Sequence, residues 1–250
     1  MTELSDTQID RYARHIILKE IGGEGQKRLL DATIAIIGVG GIGCPAVEAL
    51  AAAGVGRLRL IDDDLVALSN LQRQTLFGTA DVGRPKVDAA ADAIARLTPD
   101  VTVERRPVRL GGDNAKALLA GADVVIDGCD NFATRLIVAA AAQALHIPLV
   151  SAAVGQFEGQ LAVYRGWEAG KPCYRCLVGD DPDRPDVSCA DQGVLGALTQ
   201  SMGGLAAIEA IRQILTFGAD SAGQLLILDA LAFRFRTIAL PKDPGCSCKA

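Results

Sequence analysis

The sequence predicts an α/β fold: a doubly wound, mostly parallel sheet that continues at its C-terminal end into antiparallel strands. Three observations carry this expectation. Short apolar, β-branched runs alternate with Ala-rich stretches of helical length over the first 155 residues, which is how strands buried on both faces and their crossover helices look in sequence. The first such run ends in a glycine-rich turn that opens a helix. After residue 155 the runs alternate apolar with polar residues, as strands with one wet face do.

Taken in order, residues 5–31 read as amphipathic helix, with Ile9, Tyr12, Ile16 and Ile17 at helical spacing. ATIAIIG (32–38) is the first buried strand, GVGGIG (38–43) the turn, and the Ala-rich segment that follows is a helix ending near Gly54. RLRLID (57–62) is a strand, 84–97 a helix, VTVERRPV (101–108) a strand and 113–120 a short helix. ADVVIDG (122–128) is another buried strand, 131–146 a helix and IPLVSAAV (147–154) the next strand. Right-handed crossovers would join these parallel strands. GQLAVYR (159–165) alternates and leads into a Pro/Cys loop and the charged stretch GDDPDRPD (179–186). A long apolar helix (193–217) and two strands, QLLILDA (224–230) and AFRFRTIAL (232–240), precede PGCSCKA (244–250). The chain reads as one domain, with N-terminal helices (1–31), a parallel half (32–155) and a second half (156–250) joined to the same sheet.

Composition narrows the function classes. Of 250 residues, 50% are hydrophobic and 22% charged, which excludes a disordered chain and supports a large core. The net charge of −5 offers no global attraction for nucleic acid or anionic lipid, so neither a nucleic-acid nor a membrane partner is expected. The uncharged run Leu136–Phe157 is long enough to span a bilayer, but Pro148 divides it into a helix and a strand. No signal peptide is legible at the N-terminus, so the protein is expected in the cytoplasm. Seven cysteines without an export signal point to metal or thiol chemistry rather than disulfides.

Gly38-x-Gly40-Gly41-x-Gly43 sits between a buried strand and a helix. Glycines there let the backbone approach phosphates, whose charge the helix N-terminus favours, so the fold is Rossmann-like and the site binds a nucleotide. Asp62, 19 residues beyond Gly43, stands at the end of the second strand, where a carboxylate can accept from ribose hydroxyls. A dinucleotide such as NAD is the default ligand of this pattern. Arg73 in SNLQRQ (69–74) and Lys86 in GRPK (83–86) favour a triphosphate, whose charge several cations would neutralise; either alone could be surface charge. Asp127 and Asp130 end a strand on the carboxyl edge of the sheet. A carboxylate there could hold Mg²⁺, or Asp130 or Asn131 could cap the following helix.

Cys173-Tyr-Arg-Cys176 is a metal-binding spacing, and Cys246-Ser-Cys248 could complete a structural zinc site; a redox pair is the competing reading. Cys189, in a polar stretch, is either a nucleophile or incidental. Cys44 and Cys129 lie against apolar segments and read as packing residues. The two histidines, His15 and His146, belong to no Ser/His or Cys/His set, so hydrolytic triad chemistry has no support.

RYARHIIL (11–18), GVGGIG (38–43), IDDD (61–64), SNLQRQ (69–74), GRPK (83–86), DGCDN (127–131), CYRC (173–176) and PGCSC (244–248) together resemble the MoeB/ThiF family, bacterial relatives of ubiquitin-activating enzymes, most closely its molybdopterin-synthase adenylyltransferase branch and next its thiamine-pathway branch. The resemblance implies ATP-dependent adenylation of the C-terminal glycine carboxylate of a small ubiquitin-like sulfur carrier ending in Gly-Gly. By matching position, Gly41 belongs to the phosphate loop and Asp62 to the ribose contact, with Gly38, Gly40, Gly43 and Asp64 also expected to bind the nucleotide. Asn70, Arg73 and Lys86 would hold the phosphates and Asp130 the magnesium, with Ser69, Leu71, Gln72 and Asn131 among the residues expected to bind the nucleotide. Arg14 would enter from the partner subunit of a homodimer, and Cys189 would be a sulfur-transfer thiol. The nucleophile is already a carboxylate, so positioning and charge cancellation suffice without a histidine base. ATP, Mg²⁺ and Zn²⁺ are the cofactors so implied. With no rhodanese-like domain after residue 250, the sulfur donor, a cysteine desulfurase or a rhodanese-like protein, would be a separate chain. The sequence departs from the family at C-S-C, where two residues usually separate the cysteines, and in the acidic, Pro-rich stretch 179–188. A NAD-dependent oxidoreductase and a nucleotide-binding scaffold without turnover are the alternatives.

Overall fold

The computed structural model describes residues 3–179 and 193–246. Three short helices, α1 (Asp6–Arg11), α2 (Ala13–Ile16) and α3 (Gly22–Asp31), precede β1 (Thr33–Ile37) and α4 (Gly43–Ala52). Then come β2 (Arg57–Ile61), α5 (Lys86–Leu97), β3 (Thr102–Arg106), α6 (Ala115–Leu119), β4 (Val124–Asp127), α7 (Phe132–Leu145) and β5 (Leu149–Gly155). The chain continues through β6 (Glu158–Tyr164), α8 (Tyr174–Val178), α9 (Gly196–Leu215), β7 (Gln224–Asp229) and β8 (Arg234–Ala239). Among the described residues the eight strands form one sheet in the order β3-β2-β1-β4-β5-β6-β7-β8.

The first five strands pair in parallel and the last three add antiparallel, as the change of pattern after residue 155 predicts. Successive side chains of a strand point to opposite faces. Ile34, Ile36, Leu58, Leu60 and Ile126 therefore meet α4 and α9 through Val47, Leu50, Met202 and Ala206. Ala35, Ile37, Val125 and Leu149 meet α6 and α7 through Leu119, Leu136 and Val138 on the other face. Leu58, Leu60 and Ile126 are fully buried, and each such side chain contributes about 1.5–3 kcal/mol. No helix among the described residues is long and apolar enough to cross a membrane; Pro148 separates α7 from β5, as its place in the uncharged run predicts.

Two local expectations are corrected. Residues 5–31 are not one helix. Tyr12 is buried, and its hydroxyl donates to Asp100 (2.8 Å), so tertiary anchoring turns the chain between α1 and α2, and Gly22, at φ +61°, restarts it as α3. In β8 the expected single wet face is also absent: every residue from Arg234 to Ala239 is exposed, because this edge strand lies beyond α9, which packs over β4, β5 and β6.

Candidate functional site

A cleft of about 540 Å³ opens where β1, β2 and β4 end, between Ile37, Ile61 and the segment Gly128–Phe132. The strand order reverses between β1 and β4, and ligands of open α/β sheets bind at such a switch point. Gly38, Gly40 and Gly41 line the cleft. Gly38 adopts φ +83°, a left-handed conformation that costs glycine nothing. Its N–H still donates to the Ile61 carbonyl (3.0 Å), so the chain leaves β1 sharply without losing the ladder. Gly43, the first residue of α4, lies behind the loop rather than in the cleft wall. A Cβ there would run into the Gly38 carbonyl, so its hydrogen lets the helix N-terminus sit against the turn.

Asp62 lies at the end of β2, and its carboxylate accepts from the N–H groups of Val39 (2.7 Å) and Asp64 (2.8 Å). It thereby ties the glycine turn to the second strand. Burial pushes its carboxyl above the usual carboxylate range, although Lys86 at 3.8 Å and the two N–H groups pull it down. Lys86 is only 4% exposed, and its ammonium lies 2.6 Å from Asp64. Lys86 lines the cleft and is ion-paired to Asp64, whose carboxylate is mostly exposed. Asp62, Asp63 and Asp64 each bring a carboxylate oxygen within 4.8 Å of the others.

Asn70 and Arg73 reach the cleft from the loop after β2. The Asn70 side chain accepts from the Ala67 N–H (3.3 Å) and stabilises a 3₁₀ turn, and Arg73 donates to the Ser69 carbonyl (3.2 Å). Ser69, Leu71 and Gln72, expected at the site, do not line the cleft; they shape the turn that presents Asn70 and Arg73.

Asp127 and Asp130 have different fates. Asp127 is fully buried and accepts from the Cys129 N–H (3.0 Å) and Ser151 hydroxyl (3.3 Å), so it is not a free magnesium carboxylate. Asp130 is exposed and lines the cleft. Asn131, also in the wall, caps α7 by accepting from the Thr134 N–H (2.9 Å). Cys44 and Cys129 are buried, and burial pushes both thiols well above their ordinary range, in keeping with packing.

Cys173, Cys176 and Cys246 converge: the Cys173 sulfur is 3.8 Å from that of Cys176 and 3.5 Å from that of Cys246. Cys189 and Cys248 lie outside the described residues. Arg14 is exposed on α2 and does not line the cleft of its own chain.

The wall also holds residues that pattern reading missed: Gln74, Arg109, Phe132, Arg135, Tyr174 and Thr199. Arg135 could have been found, because it lies one helical turn beyond the Asn131 cap and so faces the same way. Thr199, on α9, carries no local signal; it meets Gly41 only because α9 packs beside the turn.

The profile of the ThiF family matches residues 12–249. The molybdopterin-synthase adenylyltransferase of Salmonella typhimurium is 41% identical over 98% of both chains. The sulfur carrier protein ThiS adenylyltransferase of Escherichia coli is 44% identical over 97% of this chain and 96% of its own. Among solved structures, PaaA superposes with a TM-score of 0.80 at 27% identity, over 97% of this chain and 76% of that one.

Proposed function

Because the chain belongs to the ThiF family, we propose that it is an adenylyltransferase that activates the C-terminal glycine carboxylate of a ubiquitin-like sulfur carrier with ATP, for molybdopterin or thiamine-type sulfur transfer. The observation that carries this reading is the convergence of a glycine turn, a helix N-terminus, Asp62, Arg73 and Lys86 on one cleft at the switch point. By its name the Escherichia coli relative is an adenylyltransferase of a sulfur carrier protein, and the Salmonella typhimurium relative one of molybdopterin synthase.

Gly38, Gly40 and Gly41 let the triphosphate approach the backbone at the start of α4, and Asp62 takes the ribose. The carrier carboxylate attacks the α-phosphorus; a carboxylate–phosphorus bond forms, the bond to the β-phosphate oxygen breaks, and pyrophosphate leaves with its electron pair. No proton is transferred, so no base is needed. Arg73 and Lys86 offset the charge of the phosphates, Lys86 exchanging its Asp64 partner for a phosphate oxygen. In a homodimer Arg14 reaches the partner's cleft. Each chain acts as one cytoplasmic adenylation domain that receives the carrier on its second half.

Two metals fit the donors present. Asp130 offers an exposed carboxylate in the cleft wall, the hard oxygen ligand that Mg²⁺ takes; bound Mg²⁺ would supply charge neutralisation. The Cys173, Cys176 and Cys246 sulfurs match the separation of about 3.8 Å expected for thiolates about 2.3 Å from one tetrahedral zinc, with Cys248 as fourth ligand. Zinc there would hold the loop before α8 against the C-terminal segment. ATP–pyrophosphate exchange tests the function: the reading expects exchange that depends on a carrier ending in Gly-Gly, and exchange indifferent to the carrier would refute it.

A further inference from the structure

Tyr174 stands between the cysteine cluster and the cleft. Its backbone follows Cys173, the N-cap of α8, and that helix also carries Cys176. Its ring is buried, 5.6 Å edge-on from Tyr164 of β6 and 6.3 Å from Phe132, the first residue of α7. It also hydrogen-bonds Arg135. The Arg135 guanidinium donates to the Cys129 carbonyl, and although burial opposes its charge, the nearby Asp127 carboxylate holds it protonated. Cys129, Asp130, Phe132, Arg135, Tyr174 and Val178 all line the cleft. One chain of contacts therefore runs from the cysteine cluster through Tyr174 and Arg135 to the carbonyl next to Asp130.

Resting on the adenylation reading, we propose that Tyr174 is a positioning residue: through Arg135 it holds the Cys129–Asp130 segment in register with the nucleotide, so that the cysteine cluster and the magnesium end of the cleft act as one unit. Three features support this. The link is made of a part-buried charged hydrogen bond and ring packing, interactions that break rather than stretch. Arg135 is already engaged with Cys129 and Tyr174, which suits a strut better than a phosphate ligand. α8 contributes both a cysteine and cleft wall, so anything that shifts the cluster shifts the wall.

The test compares wild type, Tyr174→Phe and Arg135→Lys. Tyr174→Phe keeps the ring packing and removes the hydroxyl; Arg135→Lys keeps the charge and removes the fork. For each, zinc content and thermal stability are measured first. Calorimetry then gives the affinity for a non-hydrolysable ATP analogue across a magnesium titration. Loss of this hydrogen bond to a charged group should raise the magnesium needed for half-maximal analogue binding about three- to tenfold in both variants, with zinc retained. A role confined to packing would lower stability and leave the magnesium requirement where it was. An unchanged magnesium requirement in whichever variant folds overturns the coupling. Failure of wild type itself to bind the analogue would instead sink the adenylation reading.

Discussion

The glycine turn allows a prediction in which stability and ligand binding separate. A Cβ at Gly43 would lie 3.0 Å from the Gly38 carbonyl carbon, with the oxygen nearer still. Ordinary contact is about 3.5–4.0 Å, and the oxygen is the closer atom, so the first turn of α4 must retreat by more than about 1 Å. That helix cannot retreat freely, because Cys44, Ala46, Val47, Leu50 and Ala51 are fully buried. Gly43→Ala should therefore cost about 2–3 kcal/mol, within the usual range for overpacking, and lower the melting temperature by about 4–12 °C for a chain of this size. A Cβ at Gly40 meets only the Gln74 amide nitrogen, at 3.7 Å. Gly40→Ala should keep wild-type stability yet lose nucleotide affinity, since the methyl would occupy the space the phosphates need. Thermal denaturation of both variants, with calorimetric titration of ATP, makes the comparison. Equal stability of the two variants, or undiminished ATP binding by Gly40→Ala, would refute the account of the turn.

Three further outcomes are expected. Wild type should bind one zinc per chain, and Cys176→Ala should lose both the metal and much of its stability, because a site absent from the unfolded chain couples metal binding to folding; metal analysis well below one per chain in wild type contradicts this. Burial and the hydrogen bond to Asp100 push Tyr12 up to about 12. The unfolded chain releases this proton from about pH 10, so stability should fall as pH rises from about 10 to 12; denaturant midpoints across that window should fall less steeply in Tyr12→Phe. If Arg14 serves the partner's cleft, inactive Arg14→Ala and Asp130→Ala chains, refolded together in equal amounts, form half mixed dimers with one good site each and should regain about a quarter of wild-type activity. Recovery no greater than either variant alone means that Arg14 does not act across the interface.

The parallel half of the fold was legible because its signals are local. The run at 32–38 and the glycines after it declare a buried strand and a close turn whatever surrounds them, and Asp62 follows at the end of the next strand. What sequence could not supply was contact between distant segments. Tyr12 breaks the N-terminal helix because it reaches Asp100. Asp127 and Asp130 look alike in sequence, yet one points into the sheet toward Ser151 and the other into the cleft. Lys86 reads as free charge until the fold places Asp64 beside it. Thr199 and Tyr174 enter the wall only because α9 and the cysteine loop fold back over the switch point.

The central claim, that the carrier's terminal carboxylate becomes an acyl-adenylate on this chain, is tested most directly by intact-mass spectrometry of a Gly-Gly-ended carrier incubated with the protein, ATP and magnesium. The account predicts a carrier heavier by one adenylyl group, formed with release of pyrophosphate and absent when the terminal carboxylate is amidated or Arg73 is replaced by Ala. An unmodified carrier while the protein binds ATP, or an adenylyl group that persists on the amidated carrier, would contradict it.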